Sequence, residues 1–158
     1  MEDVRIRYAE KEDSTIILSF IKQLAIYERL ETAAVATVKN IEHSLFEKKE
    51  AEVLLIEENE IPVGFALFFH NYSTFLGKSN IYLEDLYINE KSRGKGYGKM
   101  LLQRLAAITL ERGCERLDWA CLNWNEKSIA FYESVGAKPL SEWITFRLDK
   151  EALEKFVQ

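Results

Sequence analysis

Three of the seven glycines in this 158-residue chain fall within five positions, in the run Arg93-Gly94-Lys95-Gly96-Tyr97-Gly98-Lys99. Glycine loses more conformational freedom on folding than any other residue and weakens helices, so such a cluster between a strand-like and a helix-like stretch needs a physical reason. Closely spaced glycines let the backbone turn sharply and approach a ligand. The N–H groups opening the following helix attract an anion, helped by the helix dipole. A pyrophosphate is the natural guest, because Lys91 to Lys99 holds four cations and no acid. A glycine-rich turn with solvated lysines is the other reading of the same residues. The spacing is G-x-G-x-G, so neither the G-x-x-x-x-G-K-S/T phosphate loop nor the dinucleotide pattern G-x-G-x-x-G is met.

Outside that run the reactive side chains are few. Glu84 and Asp85 are adjacent in a strand-like stretch, and alternation along a strand puts neighbours on opposite faces. Only one of them then serves a given side of the sheet, as a proton acceptor or as a surface ion-pair partner. Tyr132 lies seven residues after Asn125 and four after Ser128, near one face of a helix. Its hydroxyl can donate a proton, although beside Phe131 it reads more readily as core. Cys114 and Cys121 have no disulfide-framework or metal spacing and read as reduced, buried thiols. They lie outside the glycine run and match no nucleophile position. His43 and His70 are isolated, which disfavours a metal site or a Ser-His-Asp triad.

A strand, then Gln or Arg, two residues, Gly, one residue and Gly or Ala, then a helix resembles the acetyl-CoA signature of the GNAT superfamily of N-acetyltransferases. Arg93, Gly96 and Gly98 occupy its positions. More narrowly, YLEDLYI before the loop, LNWNEKSIAFYESVGA after it and AIYERLE in the first helix look like the spermidine/spermine N-acetyltransferase subfamily, including its thialysine branch. The likeness runs from Val4 to about Phe156.

The resemblance implies a mixed α/β fold: a mainly antiparallel central sheet, a splayed strand pair at the cofactor site and helices on both faces. It implies acetyl-CoA as co-substrate, no metal, and direct attack by a primary amine of a small cationic substrate, a polyamine, a diamine or a thialysine- or lysine-like compound. By resemblance Glu84 accepts the amine proton with Asp85 as support, and Tyr132 is the general acid for the departing thiolate. Leu86, Tyr87 and Ile88 follow the pantetheine arm, with the Ile88 N–H facing the thioester carbonyl. Arg93, Gly94, Lys95, Gly96, Tyr97, Gly98 and Lys99 hold the phosphates, and Asn125, Glu126, Lys127 and Ser128 form a second cofactor-contacting turn. Tyr27, Glu28, Asp118, Trp119 and Glu142 match positions that meet the amine. A homodimer paired through sheet edges and C-terminal parts is implied as well. The chain departs from the polyamine enzymes in Val135, where they carry a basic residue, in Phe75, where they carry Trp, and in a shorter loop after Glu58. The amine groove suits a protein N-terminus or lysine side chain as a second reading. A non-catalytic CoA-binding scaffold is the third, and it would need neither Glu84 nor Tyr132.

The elements that must position these residues follow from periodicity. Val4 to Tyr8 alternates like a strand. Asp13 is placed to cap a helix that carries Ile17, Phe20, Ile21, Leu24 and Tyr27 at 3.6-residue spacing and ends near Glu31. Thr37 caps a second helix to about Lys48. Glu52–Glu57 and Ile61–Tyr72 form a hairpin across Glu58-Asn59-Glu60, with Gly64 marking a bulge. Asn80–Ile88 is the strand before the glycine run, and the long helix after it, with Leu101, Leu105 and Ile108 on one side, closes at Gly113. A strand over Arg116–Leu122, a helix from Asn125 to Val135, a last strand over Trp143–Asp149 and a helix over Lys150–Gln158 complete the order.

Composition sets the outer limits. With 47% hydrophobic and 30% charged residues, no linker-like tract and no repeat, residues 1–158 read as one globular domain. A net charge of −5 argues against a duplex nucleic-acid partner or an anionic membrane surface. No apolar run approaches the roughly 20 residues of a membrane span, and the first residues lack a signal peptide's apolar core, which points to the cytoplasm.

Overall fold

Strands β1 (Val4–Tyr8), β2 (Glu52–Glu58), β3 (Ile61–Ser73), β4 (Lys78–Ile88) and β5 (Leu117–Trp119) lie in that order in one sheet of the computed structural model, which describes residues 2–158. The first four pair antiparallel and β4 pairs parallel with β5, as expected of a mixed, mainly antiparallel α/β fold. Helices α1 (Ser14–Tyr27), α2 (Val38–Ile41) and α3 (Tyr97–Glu111) complete a first unit that ends at Ala120. A second unit, from Cys121, holds α4 (Glu126–Ser134) and α5 (Lys150–Phe156). No helix among the described residues is long and apolar enough to cross a membrane.

Strand β2 shows why helices cover both faces of this sheet. Val53, Leu54, Leu55 and Ile56 are consecutive and all buried, so both sides of the strand lie against apolar neighbours. Val53 and Leu55 share one cluster with Phe65, Tyr87, Ile17 and Phe20, plus Ile41 and Leu45 from the α2 region. The rings of Phe20 and Phe65 stack at 5.7 Å. Leu54, Ile56, Ala66 and Phe68 point the other way, to the side where α3 buries Leu101, Leu105 and Ile108.

Several local devices join these elements. Asn59 and Glu60 both take positive φ, 51° and 66°, and turn β2 into β3 as a two-residue hairpin loop. Asn59 is tied to the first strand's approach by its N–H to the Asp3 carbonyl at 2.7 Å and by its Oδ1 accepting the Asp3 N–H at 3.0 Å. The β2–β3 register slips beside Gly64, as the sequence suggests. A Cβ there would lie 2.6 Å from the Tyr87 carbonyl oxygen, so only glycine lets β3 and β4 approach this closely. Buried Glu57 accepts from Arg5 Nε and Arg7 Nε, each at 2.6 Å, and Arg7 reaches on to Asp13.

Four expectations are corrected. Asp13 does not cap α1 through its side chain; it accepts from the Glu10 N–H and pairs with Arg7 instead. The first helix stops at Tyr27, not near Glu31: Arg29 takes φ 61°, its N–H bonds the Ile26 carbonyl and the Leu30 N–H bonds Ala25. This is a Schellman ending built on arginine, with no glycine to announce it. The second helix, by contrast, runs from its Thr37 cap to Glu47 as expected, as a π-helix over Glu42–Glu47. The strand expected over Arg116–Leu122 pairs only over Leu117–Trp119. Trp143–Asp149 forms no strand, because an extended run becomes one only against a ladder partner and the second unit contains no strand. Trp143, Ile144 and Phe146 remain exposed.

Burial opposes the Glu57 charge, but the two guanidiniums outweigh it and hold the carboxyl below its usual pKa. Glu57→Ala is therefore expected to lower unfolding stability by about 2–3 kcal/mol at pH 7, since both arginines keep some access to water. Because a lowered carboxyl pKa stabilises the fold only while the group is ionised, the difference from wild type should shrink below about pH 4. Urea melts at pH 7 and pH 3.5 check this, and equal midpoints at pH 7 would remove the network from the stability account.

Candidate functional site

Strand β4 carries the residues that matter most, and its two edges differ. Its first half pairs with both β3 and β5, but β5 follows it only over Ile81–Leu83. From Glu84 to Ile88 the ladder is with β3 alone. Every second residue there directs its N–H and C=O away from β3, toward the gap where the two parallel strands part.

The parting coincides with a bulge. Leu67 pairs with Asp85 and Phe68 with Leu83, which leaves Glu84 with no counterpart. Alternation restarts after the extra residue, so Leu83 points with Phe68 to the α3 side while Asp85 and Tyr87 point with Leu67 and Phe65 to the α1 side. Glu84, two residues after Tyr82, keeps Tyr82's orientation, which Phe69 shares on the α1 side. The opposite-face expectation for Glu84 and Asp85 is thus overturned: the bulge turns both carboxylates to one face.

That face collects further acids. Glu28 sits at the end of α1, and Asp118 pairs in register with Tyr82. Burial raises the Asp85 carboxyl to about 6, with the charges of Glu84 and then Glu28 adding to it. Burial, then Glu84, also raises Glu28. Tyr82 is raised by burial and by Glu84 and Asp118. Glu28, Glu84 and Asp85 crowd their charges together, and Asp118 adds its charge beside Tyr82, which makes a place where a cation is favoured. Trp119, paired with Leu83, lies on the other face and does not join them.

The glycine run opens α3 as expected. Gly94 and Gly96 take φ 79° and 83°, the left-handed region that favours glycine. Cβ atoms built at Gly94, Gly96 and Gly98 would meet nothing within 4 Å. Gly96 stands at the N-cap with no side chain to bond the first turn, so an incoming anion is offered backbone N–H donors. The four cations of the run divide. Arg93 Nε donates to the Ile88 carbonyl at 3.0 Å, and its guanidinium lies 5.0 Å from the Tyr27 ring centre and 5.3 Å from that of Tyr87. It thereby ties the end of α1 to the end of β4. Lys95 Nζ donates to Glu2 and Glu58, each at 2.9 Å, and the buried Tyr97 hydroxyl donates its proton to Glu58 and lies 3.2 Å from Glu2. Lys91 and Lys99 are exposed.

In the second unit Asn125 caps α4, its Oδ1 accepting the Ser128 N–H at 3.3 Å. Glu126, Lys127 and Ser128 fill the first turn, and Tyr132 lies one turn beyond Ser128 with its ring 5.5 Å from Phe131. Glu142 stands exposed in a turn after the helix.

Sequence reasoning missed Gln23, Glu2 and Glu58. Gln23 accepts the Tyr87 hydroxyl at 3.1 Å. It lies four residues before Tyr27, and that helical spacing was a usable signal. Glu2 and Glu58 are far from the glycine run in sequence and gave none.

The profile of the Acetyltransferase (GNAT) family matches residues 19–137. Thialysine N-epsilon-acetyltransferase of Sus scrofa is 34% identical, over 98% of both chains. L-ornithine N5-acetyltransferase of Arabidopsis thaliana is 31% identical over 95% of this chain and 86% of its own. Among solved structures, an integron cassette protein from the mobile metagenome of V. cholerae superposes with a TM-score of 0.83 at 26% identity, covering 98% of each chain.

Since Asp85 binds its proton more tightly in the folded chain, ionising it at neutral pH works against folding, and stability from this group rises as pH falls toward 4. Asp85→Asn should raise the melting temperature by roughly 2–4 °C at pH 7.5. The gain should vanish near pH 4, where the wild-type carboxyl is already neutral. Differential scanning calorimetry at the two pH values checks both halves, and a destabilised variant at pH 7.5 would contradict the charge-crowding account.

Proposed function

Because the chain belongs to the Acetyltransferase (GNAT) family, we propose that it passes the acetyl group of acetyl-CoA directly to a primary amine of a small cationic substrate. The observation that carries the reading is the pairing, in one unit, of a carboxylate-rich face with a cationic, glycine-opened helix start: Glu28, Glu84, Asp85 and Asp118 for an ammonium group, Arg93–Lys99 for phosphates. Relatives named for thialysine and for L-ornithine support an amino-acid-like amine, since both compounds end in a primary alkylamine.

The amine must first lose a proton. With a pKa near 10, about one alkylamine in a thousand is free at pH 7, so deprotonation costs roughly 4 kcal/mol. In this reading Glu84, exposed at the bulge, takes the proton directly or through water, while Asp85 and Glu28 keep the cationic amine in place. The free nitrogen attacks the thioester carbon, and the thiol leaves with a proton from the Tyr132 hydroxyl. The open edge of β4 at Leu86–Ile88 offers backbone groups to the pantetheine arm, the Gly94–Lys99 turn offers N–H donors to the pyrophosphate, and Asn125–Ser128 supplies the second cofactor turn. In this reading residues 1–158 act as one catalytic domain, and a second copy of the chain pairs with it through sheet edges and C-terminal parts.

Thiol release from acetyl-CoA, measured with thialysine, ornithine, lysine, diamines, spermidine and a lysine peptide, is expected to be fastest with a small free amine. If every amine is inert while acetyl-CoA binds, the chain is a scaffold; preference for the peptide would move the substrate to protein lysines. Over pH 5–8, kcat/KM falls with acidity as the amine protonates, and Asp85 should steepen that fall below about pH 6. The extra inflection should disappear in Asp85→Asn.

Tyr132→Phe is expected to lower kcat by about 100-fold while changing the Kd for CoA less than about threefold. Comparable turnover would take Tyr132 out of the acid role.

A further inference from the structure

We propose that Glu58 is a positioning residue for the cofactor turn, holding Lys95 as a structural tether, so that the phosphates are met by backbone N–H groups and by Lys99 and Lys91. The inference rests on the acetyl-CoA reading above and adds to it a division of labour among the loop's cations.

The turn is built from residues that do not hold themselves in place. Gly94 and Gly96 flank Lys95 in the left-handed region, and each glycine has more backbone freedom to lose on ordering than any other residue. A turn of this kind binds an anion well only if something else has already restricted it. Lys95 and Tyr97, two residues apart across Gly96, do this by gripping the same two carboxylates. Glu58 is the last residue of β2, and Glu2 lies just ahead of β1. The clamp therefore fastens the first residue of α3 to the β1–β2 corner of the sheet. Tyr97 is 4% exposed, and its hydroxyl is held near Glu58 strongly enough to push its pKa up to about 12. The Glu58 carboxyl is in turn held below its usual range by the Tyr97 hydroxyl and by Lys95, so the clamp stays charged at neutral pH.

The same geometry removes Lys95 from the count of phosphate ligands. An ammonium shared between two carboxylates at 2.9 Å would have to leave both to reach a phosphate, exchanging two ion pairs for one. Arg93 is likewise directed back to the Ile88 carbonyl and the Tyr27 and Tyr87 rings. All four cations of the run are exposed, but Arg93 and Lys95 are drawn into these contacts, whereas Lys91 and Lys99 carry none among the hydrogen bonds and ion pairs described.

The two roles predict opposite signs in one measurement. If Lys95 were a phosphate ligand restrained by Glu58, Glu58→Ala would release it and tighten acetyl-CoA binding. If Glu58 positions the turn, Glu58→Ala raises the KM for acetyl-CoA by about fivefold, with kcat at saturating acetyl-CoA within about twofold. Glu58→Gln, which still accepts from Lys95 and Tyr97, should recover most of that loss. A tightened or unchanged KM in Glu58→Ala, or no rescue by glutamine, overturns the proposal. A second measurement does not depend on how well Glu58→Ala folds: calorimetric Kd values for CoA at low and high salt. Lys99→Gln should weaken binding and flatten its salt dependence, whereas Lys95→Gln should weaken binding with the salt dependence of wild type. Equal flattening in both variants assigns Lys95 to the phosphates and overturns the tether. Wild-type protein that binds no CoA at all would instead defeat the acetyl-CoA reading itself.

Discussion

Glu84 has no partner across the β3–β4 ladder, and because side chains alternate along a strand, that one insertion turns Asp85 and Tyr87 to the face from which Leu83 points away. Two consequences meet at the same place. The carboxylates of Glu84 and Asp85 come to the α1 side, where Glu28 ends the helix and Asp118 arrives on β5. The ladder between β4 and β5 also stops at Leu83, so the backbone just beyond the bulge is left with an open edge. A regular strand would have sent one carboxylate into the α3 side and kept its edge paired.

Concentrating acids in this way works against the fold. Asp85 sits at about 6 because burial and neighbouring charges resist its ionisation, and such crowding survives only where the rest of the unit over-determines the geometry. That support is visible on both sides. Val53, Leu55, Phe65 and Tyr87 pack beneath α1, and buried residues of β2, β3 and α3 fill the opposite face. Gly64 brings β3 close to the Tyr87 backbone. Arg93 joins the end of α1 to the end of β4 through a carbonyl and two tyrosine rings. Opposite charges are thus kept within one unit, acids on a sheet face and cations in the turn that opens α3.

Much of this was legible where the signal is local. The glycine run announced a sharp turn into a helix, and Gly94 and Gly96 do take positive φ. Thr37 and Asn125 cap the helices they precede, because an N-cap is read within three residues of itself. Local reasoning failed where the cue was missing or the partner lay elsewhere. Arg29 ends α1 in a conformation usually marked by glycine, so periodicity carried the helix too far. Trp143–Asp149 has a strand's composition, yet composition supplies no neighbour to bond with.

By itself the sequence determined the order of elements apart from the strand expected over Trp143–Asp149, the glycine-opened helix with its cations, and the residue types able to move a proton, because spacing, propensity and capping act over a few residues. Only the tertiary structure decided which way those groups face and which are occupied. Period-2 alternation breaks when β3 and β4 choose a register with one residue left over, and that choice is made by packing across the sheet, not by Glu84 or its neighbours. Lys95 looked like a phosphate ligand for the same reason that any lysine in such a run does. Its assignment to Glu58, 37 residues away, exists only once β2, β3 and α3 have been brought together.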